Sequence, residues 1–92
     1  MNSIEDNEEL MSFSAALSEL KNGYRIARKG WNGKDMWLTY IAPGNAIYTR
    51  IGTDGAYPMQ PCIGMKTTDN NMQPGWLASQ ADMLTDDWVI VK

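Results

Sequence analysis

The stretch Ser12-Phe13-Ser14-Ala15-Ala16-Leu17-Ser18-Glu19-Leu20-Lys21-Asn22-Gly23, followed at once by Tyr24-Arg25-Ile26-Ala27-Arg28, decides the fold. Phe13, Ala16, Leu17 and Leu20 fall at i, i+3, i+4 and i+7, which puts them on one stripe of an amphipathic helix. Ser12 supplies a side-chain oxygen where the first free N–H groups need an acceptor. Asn22-Gly23 closes the helix, because glycine takes the left-handed conformation without a Cβ penalty. A helix with one apolar face must bury it, and the short β-branched and aromatic segments downstream predict that a sheet covers it.

Those segments follow in order. Tyr24–Arg28 and Met36–Ile41 read as strands separated by Lys29-Gly30-Trp31-Asn32-Gly33, a turn or compact loop. Ala42-Pro43-Gly44-Asn45 turns the chain into a third strand, Ala46–Ile51. Gly52–Pro61 reads as loop, its two prolines excluding a central strand. Cys62–Thr67 and Met72–Trp76 flank a tight turn at Asp69-Asn70-Asn71. Ser79-Gln80-Ala81-Asp82 has the form of a capping box opening a helix of one or two turns, and Trp88–Val91 is a short last strand. The expected fold is α+β: an N-terminal amphipathic helix packed on a twisted antiparallel sheet, with a short second helix near the C-terminus. Residues 1–11 read as a flexible acidic tail and residues 12–92 as a single ligand-binding domain.

Ninety-two residues suffice for one domain with a modest core, so oligomerisation is a natural way to bury the rest of the apolar surface. No run of eighteen apolar residues spans a membrane, and the acidic start is unlike a secretory signal. The single cysteine, Cys62, cannot form an internal disulfide and reads as a buried structural thiol in a reducing cytoplasm. Of the eleven acids, four (Glu5, Asp6, Glu8, Glu9) lie in the tail, leaving seven against eight bases. Five of those bases, Lys21, Arg25, Arg28, Lys29 and Lys34, fall between positions 21 and 34. A local basic patch of this kind suits a ligand with one or two phosphates better than a nucleic acid polymer, which demands an overall surplus.

The inventory for catalysis is thin. The chain has no histidine, no second cysteine for zinc and no phosphate-loop signature, so neither enzyme chemistry nor a cofactor or metal site is expected. Asp86 and Asp87 are adjacent, point to opposite faces of an extended segment, and read as a solvated turn before the last strand. Trp31 and Trp76 say more. Trp31 in its glycine-flanked basic loop either folds back as a lid on the core or offers an indole face to a base, with Arg28 and Lys29 for phosphate and Asn32 for a base edge or ribose hydroxyl. Trp76 precedes Ser79, Gln80 and Asp82, groups that either cap the short helix or read sugar and base edges. Trp37 and Trp88 sit in strand patterns and read as core.

Read together, these blocks resemble a phage family. Phe13–Leu17, Ala27-Arg28-Lys29-Gly30-Trp31-Asn32-Gly33-Lys34, Met65–Asp69, Pro74-Gly75-Trp76-Leu77-Ala78-Ser79-Gln80-Ala81-Asp82-Met83-Leu84 and the closing Asp87-Trp88 are similar, in order and spacing, to the second type of Thoeris anti-defence protein. The Arg-Lys-Gly-Trp-Asn-Gly and Trp-Leu-Ala-Ser-Gln-x-Asp blocks are the specific ones. The resemblance implies a sponge for a cyclic ADP-ribose isomer, in some members also for cyclic oligonucleotides, held without cleavage so that a bacterial effector stays off. It implies a homotetramer with ligand pockets between protomers, in the cytoplasm of an infected bacterium. It carries ligand contact to Trp31, Asn32, Trp76, Ser79, Gln80 and Asp82, with Arg28 and Lys29 in the same blocks. Gly64 departs from the family pattern, where an acidic residue is common, and Gly52–Pro61 is not among the stretches that carry the resemblance. Two other classes compete with the sponge: an enzyme that degrades the same signal, and an interaction module whose tryptophans form a protein interface.

Overall fold

A computed structural model describes residues 9–31, 35–43, 48–50, 56–58 and 60–92. Helix α1, Phe13–Lys21, starts at Ser12, whose Oγ accepts the Ala15 N–H at 3.2 Å. It stops at Asn22, and Gly23 follows with φ +99°, the left-handed turn expected of it. The chain then lays down β1 (Arg25–Arg28), β2 (Trp37–Ile41), β3 (Tyr48–Arg50), β4 (Ala56–Pro58), β5 (Cys62–Lys66), β6 (Met72–Pro74), helix α2 (Gln80–Leu84) and β7 (Trp88–Val91). Five strands form one antiparallel sheet in the order β6-β5-β2-β1-β7. The α+β expectation therefore holds: a helix on one face of an antiparallel sheet, and a one-turn helix near the C-terminus.

Register assigns the faces. Ile26 lies opposite Leu38 and Ile90, and Arg28 opposite Trp88. Alternation along each strand puts Ile26, Arg28, Leu38, Met65 and Trp88 on the face that α1 covers. Ala16 and Leu20 of α1 meet Ile26, Leu38 and Trp88 in a core from which solvent is excluded. Full burial of each large side chain stabilises by roughly 1.5–3 kcal/mol, so these few residues carry most of the fold.

Three expectations are corrected. Ala56–Pro58 is not loop but a strand paired with β3, Tyr48 opposite Pro58 and Arg50 opposite Ala56, in a separate two-stranded sheet. Each strand of such a pair is an edge strand, where a proline without an N–H is tolerated. Trp37 is not core: it is half-buried, on the sheet face opposite α1, and the Arg25 guanidinium lies 4.8 Å from its ring. Cys62 is likewise only half-buried on that face. At the N-terminal end of the described residues Met11 bridges to β7: its N–H donates to the Trp88 carbonyl at 2.9 Å, and Trp88 N–H donates back at 3.1 Å. Among the described residues, no helix is long and apolar enough to cross a membrane.

Candidate functional site

The two tryptophan blocks converge. Trp31 follows the turn after β1, where its N–H donates to the Arg28 carbonyl at 3.2 Å. Trp76 follows Gly75, whose φ of +87° turns the chain so that both the Gly75 and Trp76 N–H groups donate to the Ile63 carbonyl at 2.9 Å. The ring of Trp31 lies 6.3 Å from that of Trp76 and 5.5 Å from that of Trp88, while Trp76 lies 6.2 Å from Trp88. Phe13 of α1 closes the cluster, 5.3 Å from Trp88 and 6.4 Å from Trp76. Trp88 is fully buried, whereas Trp31 and Trp76 are half-buried on top of it. Trp31 thus packs on the core, as the lid reading has it, and remains half-exposed.

The geometry excludes one arrangement. The Trp31 and Trp76 planes meet at 63°, edge to face. A base sandwiched between two indoles needs them parallel with room for a third ring, and these two planes are not parallel. Beside Trp76 lies an open cavity of about 280 Å³ lined by Met65, Gln73, Gly75, Trp76 and Leu77. Met65 and Gln73 are cross-strand partners of β5 and β6, so the sheet edge forms its floor. Met65 and Leu77 stand in blocks that carry the family resemblance, yet the sequence assigns a ligand role neither to them nor to Gln73. Leu77 is 87% exposed, which only the structure shows.

The polar residues divide. Ser79 and Asp82 form the capping box: Ser79 Oγ accepts the Asp82 N–H at 3.0 Å and Asp82 Oδ2 accepts the Ser79 N–H at 2.9 Å. Asp82 Oδ1 also accepts from Arg28 Nη1 at 2.9 Å, and Arg28 Nε donates to Asp87 Oδ1 at 3.0 Å. Arg28 is thus shared between two carboxylates, which raise its pKa further, Asp87 more than Asp82. Desolvation is the largest influence on Asp82 and pushes it up. The Ser79 N–H, the Arg28 guanidinium and the Ser79 hydroxyl together outweigh it and hold the carboxyl below its ordinary value. Gln80 is exposed on the first turn of α2. Asn32 and Lys34 lie outside the described residues. Lys29 is exposed in the turn, and its N–H donates to the Asp87 carbonyl at 2.9 Å.

The expected basic patch is accordingly split. Arg25 and Arg28 are three residues apart on a strand and face opposite ways, Arg25 toward Trp37 and Arg28 toward the acids. The adjacent Asp86 and Asp87 also differ: Asp86 is exposed, whereas Asp87 is half-buried with Arg28 and Thr85 on its carboxylate, which is not the solvated turn expected. Among the described residues no group of three His, Cys, Asp or Glu stands together as a metal site requires.

Comparison with known proteins covers the whole of this architecture. A family model described as the Thoeris anti-defense 2-like domain matches residues 11–91, from the Met11 bridge to the last residue of β7. The chain is 41% identical over 86 residues to a protein of Bacillus phage SP01 named Thoeris anti-defense 2, a match that covers 88% of this chain and 94% of the phage protein. With both tryptophan blocks and every element of the main sheet inside the matched span, the chain belongs to the Thoeris anti-defense 2 family.

Proposed function

We propose that this protein is a phage anti-defence sponge: it binds a cyclic nucleotide immune signal, a glycocyclic isomer of ADP-ribose, and sequesters it without cleavage in the cytoplasm of the infected bacterium, so that the Thoeris effector is never switched on. The observation that carries this reading is the meeting of Trp31 and Trp76, from segments 45 positions apart, in one half-exposed cluster beside the Met65–Leu77 cavity. An adenine face stacks on an exposed indole with a gain of about 1–3 kcal/mol. Gln80, Ser79 and Asn32 are the groups assigned to ribose and base edges, and Lys29 is the cation assigned to phosphate. Arg28 and Asp82, already committed to each other, act by holding the site's shape.

Size supports an assembly. Ligand cavities generally measure about 300–1,000 Å³, and one of about 280 Å³ on an open sheet edge takes part of a molecule that carries a base, two riboses and two phosphates. Leu77, which lines the cavity, is 87% exposed, Leu84 and Met83 of α2 are 80% and 47% exposed, and no residue of α2 is buried. A second copy packed there would complete the pocket, in keeping with the homotetramer that the family resemblance implies.

The test is retention and release. Protein is incubated with the cyclic signal, freed of unbound ligand by gel filtration, then denatured, and the supernatant is analysed by mass spectrometry. Recovery of intact signal supports the sponge. Recovery of a changed product assigns an enzyme, and no uptake leaves the interaction module favoured by the exposed leucines.

A further inference from the structure

The Asp87 carboxylate has three partners, Arg28, Thr85 and the backbone of Gly30. Arg28 Nε donates to Oδ1 at 3.0 Å, the Thr85 hydroxyl donates to the same oxygen at 3.0 Å, and the Gly30 N–H also faces the carboxylate. The approach to Gly30 is close: a Cβ there would stand 3.3 Å from Asp87 Oδ2, tighter than most such contacts, so a glycine gives the carboxylate its clearance. The Asp87 backbone takes part as well, its carbonyl accepting the Lys29 N–H at 2.9 Å. Arg28, Lys29 and Gly30 are therefore all tied to one residue, and Trp31 is the next in the chain.

The other end of the network holds Trp88 and α2. Arg28 passes from Asp87 to Asp82, Asp82 caps α2, and the Asp82 carbonyl accepts the Trp88 indole N–H at 2.9 Å. Trp88 is the buried ring on which both Trp31 and Trp76 rest. We propose that Asp87 is a positioning residue of the ligand site: through Arg28 and Gly30 it fixes the turn that carries Trp31, and through Arg28 and Asp82 it locks that turn to α2, so that the indole faces are set before ligand arrives. The ligand part of this proposal rests on the sponge reading. The positioning part does not.

Setting an aromatic surface in advance spares the ligand the cost of ordering it, so loss of the network weakens binding without removing a ligand contact. The experiment uses full-length protein labelled with 5-fluorotryptophan, whose four ¹⁹F resonances are assigned by single Trp→Phe changes. Asp87→Ala is expected to shift or broaden the Trp31 and Trp76 signals and to leave Trp37, on the opposite sheet face, in place. Asp87→Asn keeps an oxygen for Thr85 and Gly30 but lacks the charge that holds Arg28; it serves as the milder variant should Asp87→Ala not fold. Asp86→Asn, at the exposed neighbour, is expected to change neither signal. Titration with the glycocyclic ADP-ribose isomer is then expected to show at least tenfold weaker binding for folded Asp87→Ala, and an intermediate loss for Asp87→Asn. Trp31 and Trp76 signals that stay where they are in both variants overturn the proposal. So does wild-type affinity in a folded variant whose melting temperature alone has dropped. If the wild-type protein does not bind the isomer, the sponge reading fails, and the ¹⁹F spectra still decide the positioning role.

Discussion

Replacing Trp76 by alanine separates what the aromatic cluster does for the fold from what it does for a ligand. The ring makes three tilted or edge-to-face contacts, with Phe13, Trp31 and Trp88, at 6.4, 6.3 and 6.2 Å. Aromatic pairs of this geometry contribute about 0.5–1.5 kcal/mol each beyond the area they bury. A fully buried aromatic truncated to alanine costs about 3–5 kcal/mol, and half-burial lowers that to about 2–3 kcal/mol. In a domain of this size each kcal/mol moves the melting temperature by about 4–8 °C, so Trp76→Ala should melt roughly 10–20 °C lower. On protein that is still folded, well below that temperature, loss of one stacking face should weaken binding of the cyclic signal by about 1–3 kcal/mol, or roughly five- to 150-fold. Circular dichroism supplies the melting curve and isothermal titration the affinity. Trp76→Phe should recover most of the melting temperature and part of the affinity. A drop of under about 3 °C would mean that the ring is not packed on Trp88 as described. A normal affinity in folded Trp76→Ala would remove this residue from the binding site.

Three further expectations follow from single features. Gly75→Ala forces a side chain into φ +87° with no atom within 4 Å of the new methyl, so its cost, about 1 kcal/mol by chemical denaturation, comes from the backbone alone. The carboxyls of Asp82 and Asp87 are held below their ordinary value of 3.8, the pull of Arg28 and the other donors on each outweighing desolvation. Their contribution is therefore complete above pH 3.8 and is lost as the pH falls through their lower folded values, so acid unfolding monitored at pH 2–5 should be blunted in Asp87→Asn. Removal of residues 1–9 should leave the melting temperature unchanged, whereas removal of residues 1–11 deletes both hydrogen bonds between Met11 and Trp88 and should cost about 1–3 kcal/mol.

The main elements were legible because local rules govern them. The 3-4-7 spacing of Phe13, Ala16, Leu17 and Leu20, the Ser12 cap, Gly23 past the helix end and the Ser79–Asp82 box are interactions between near neighbours in sequence, and each appears where the residues put it. Family membership was legible for a related reason: two uncommon blocks, around Trp31 and Trp76, stand in fixed order and spacing. What the tertiary structure alone decided is who meets whom. Arg28 and Asp82 are ligand candidates when each is read beside its own tryptophan. They become an ion pair because the β1–β7 register brings position 28 to position 88, and the chain just before it to α2. Asp87 passed for a solvated turn because two of its partners, Gly30 and Arg28, lie 57 and 59 positions away. Trp37 and Trp88 share a strand pattern of apolar neighbours, yet pairing parity sends Trp88 under α1 and Trp37 to the opposite face. Hydrophobic spacing states which residues share a face of their own element. The face that ends up covered depends on long-range register, and no short window of sequence contains it.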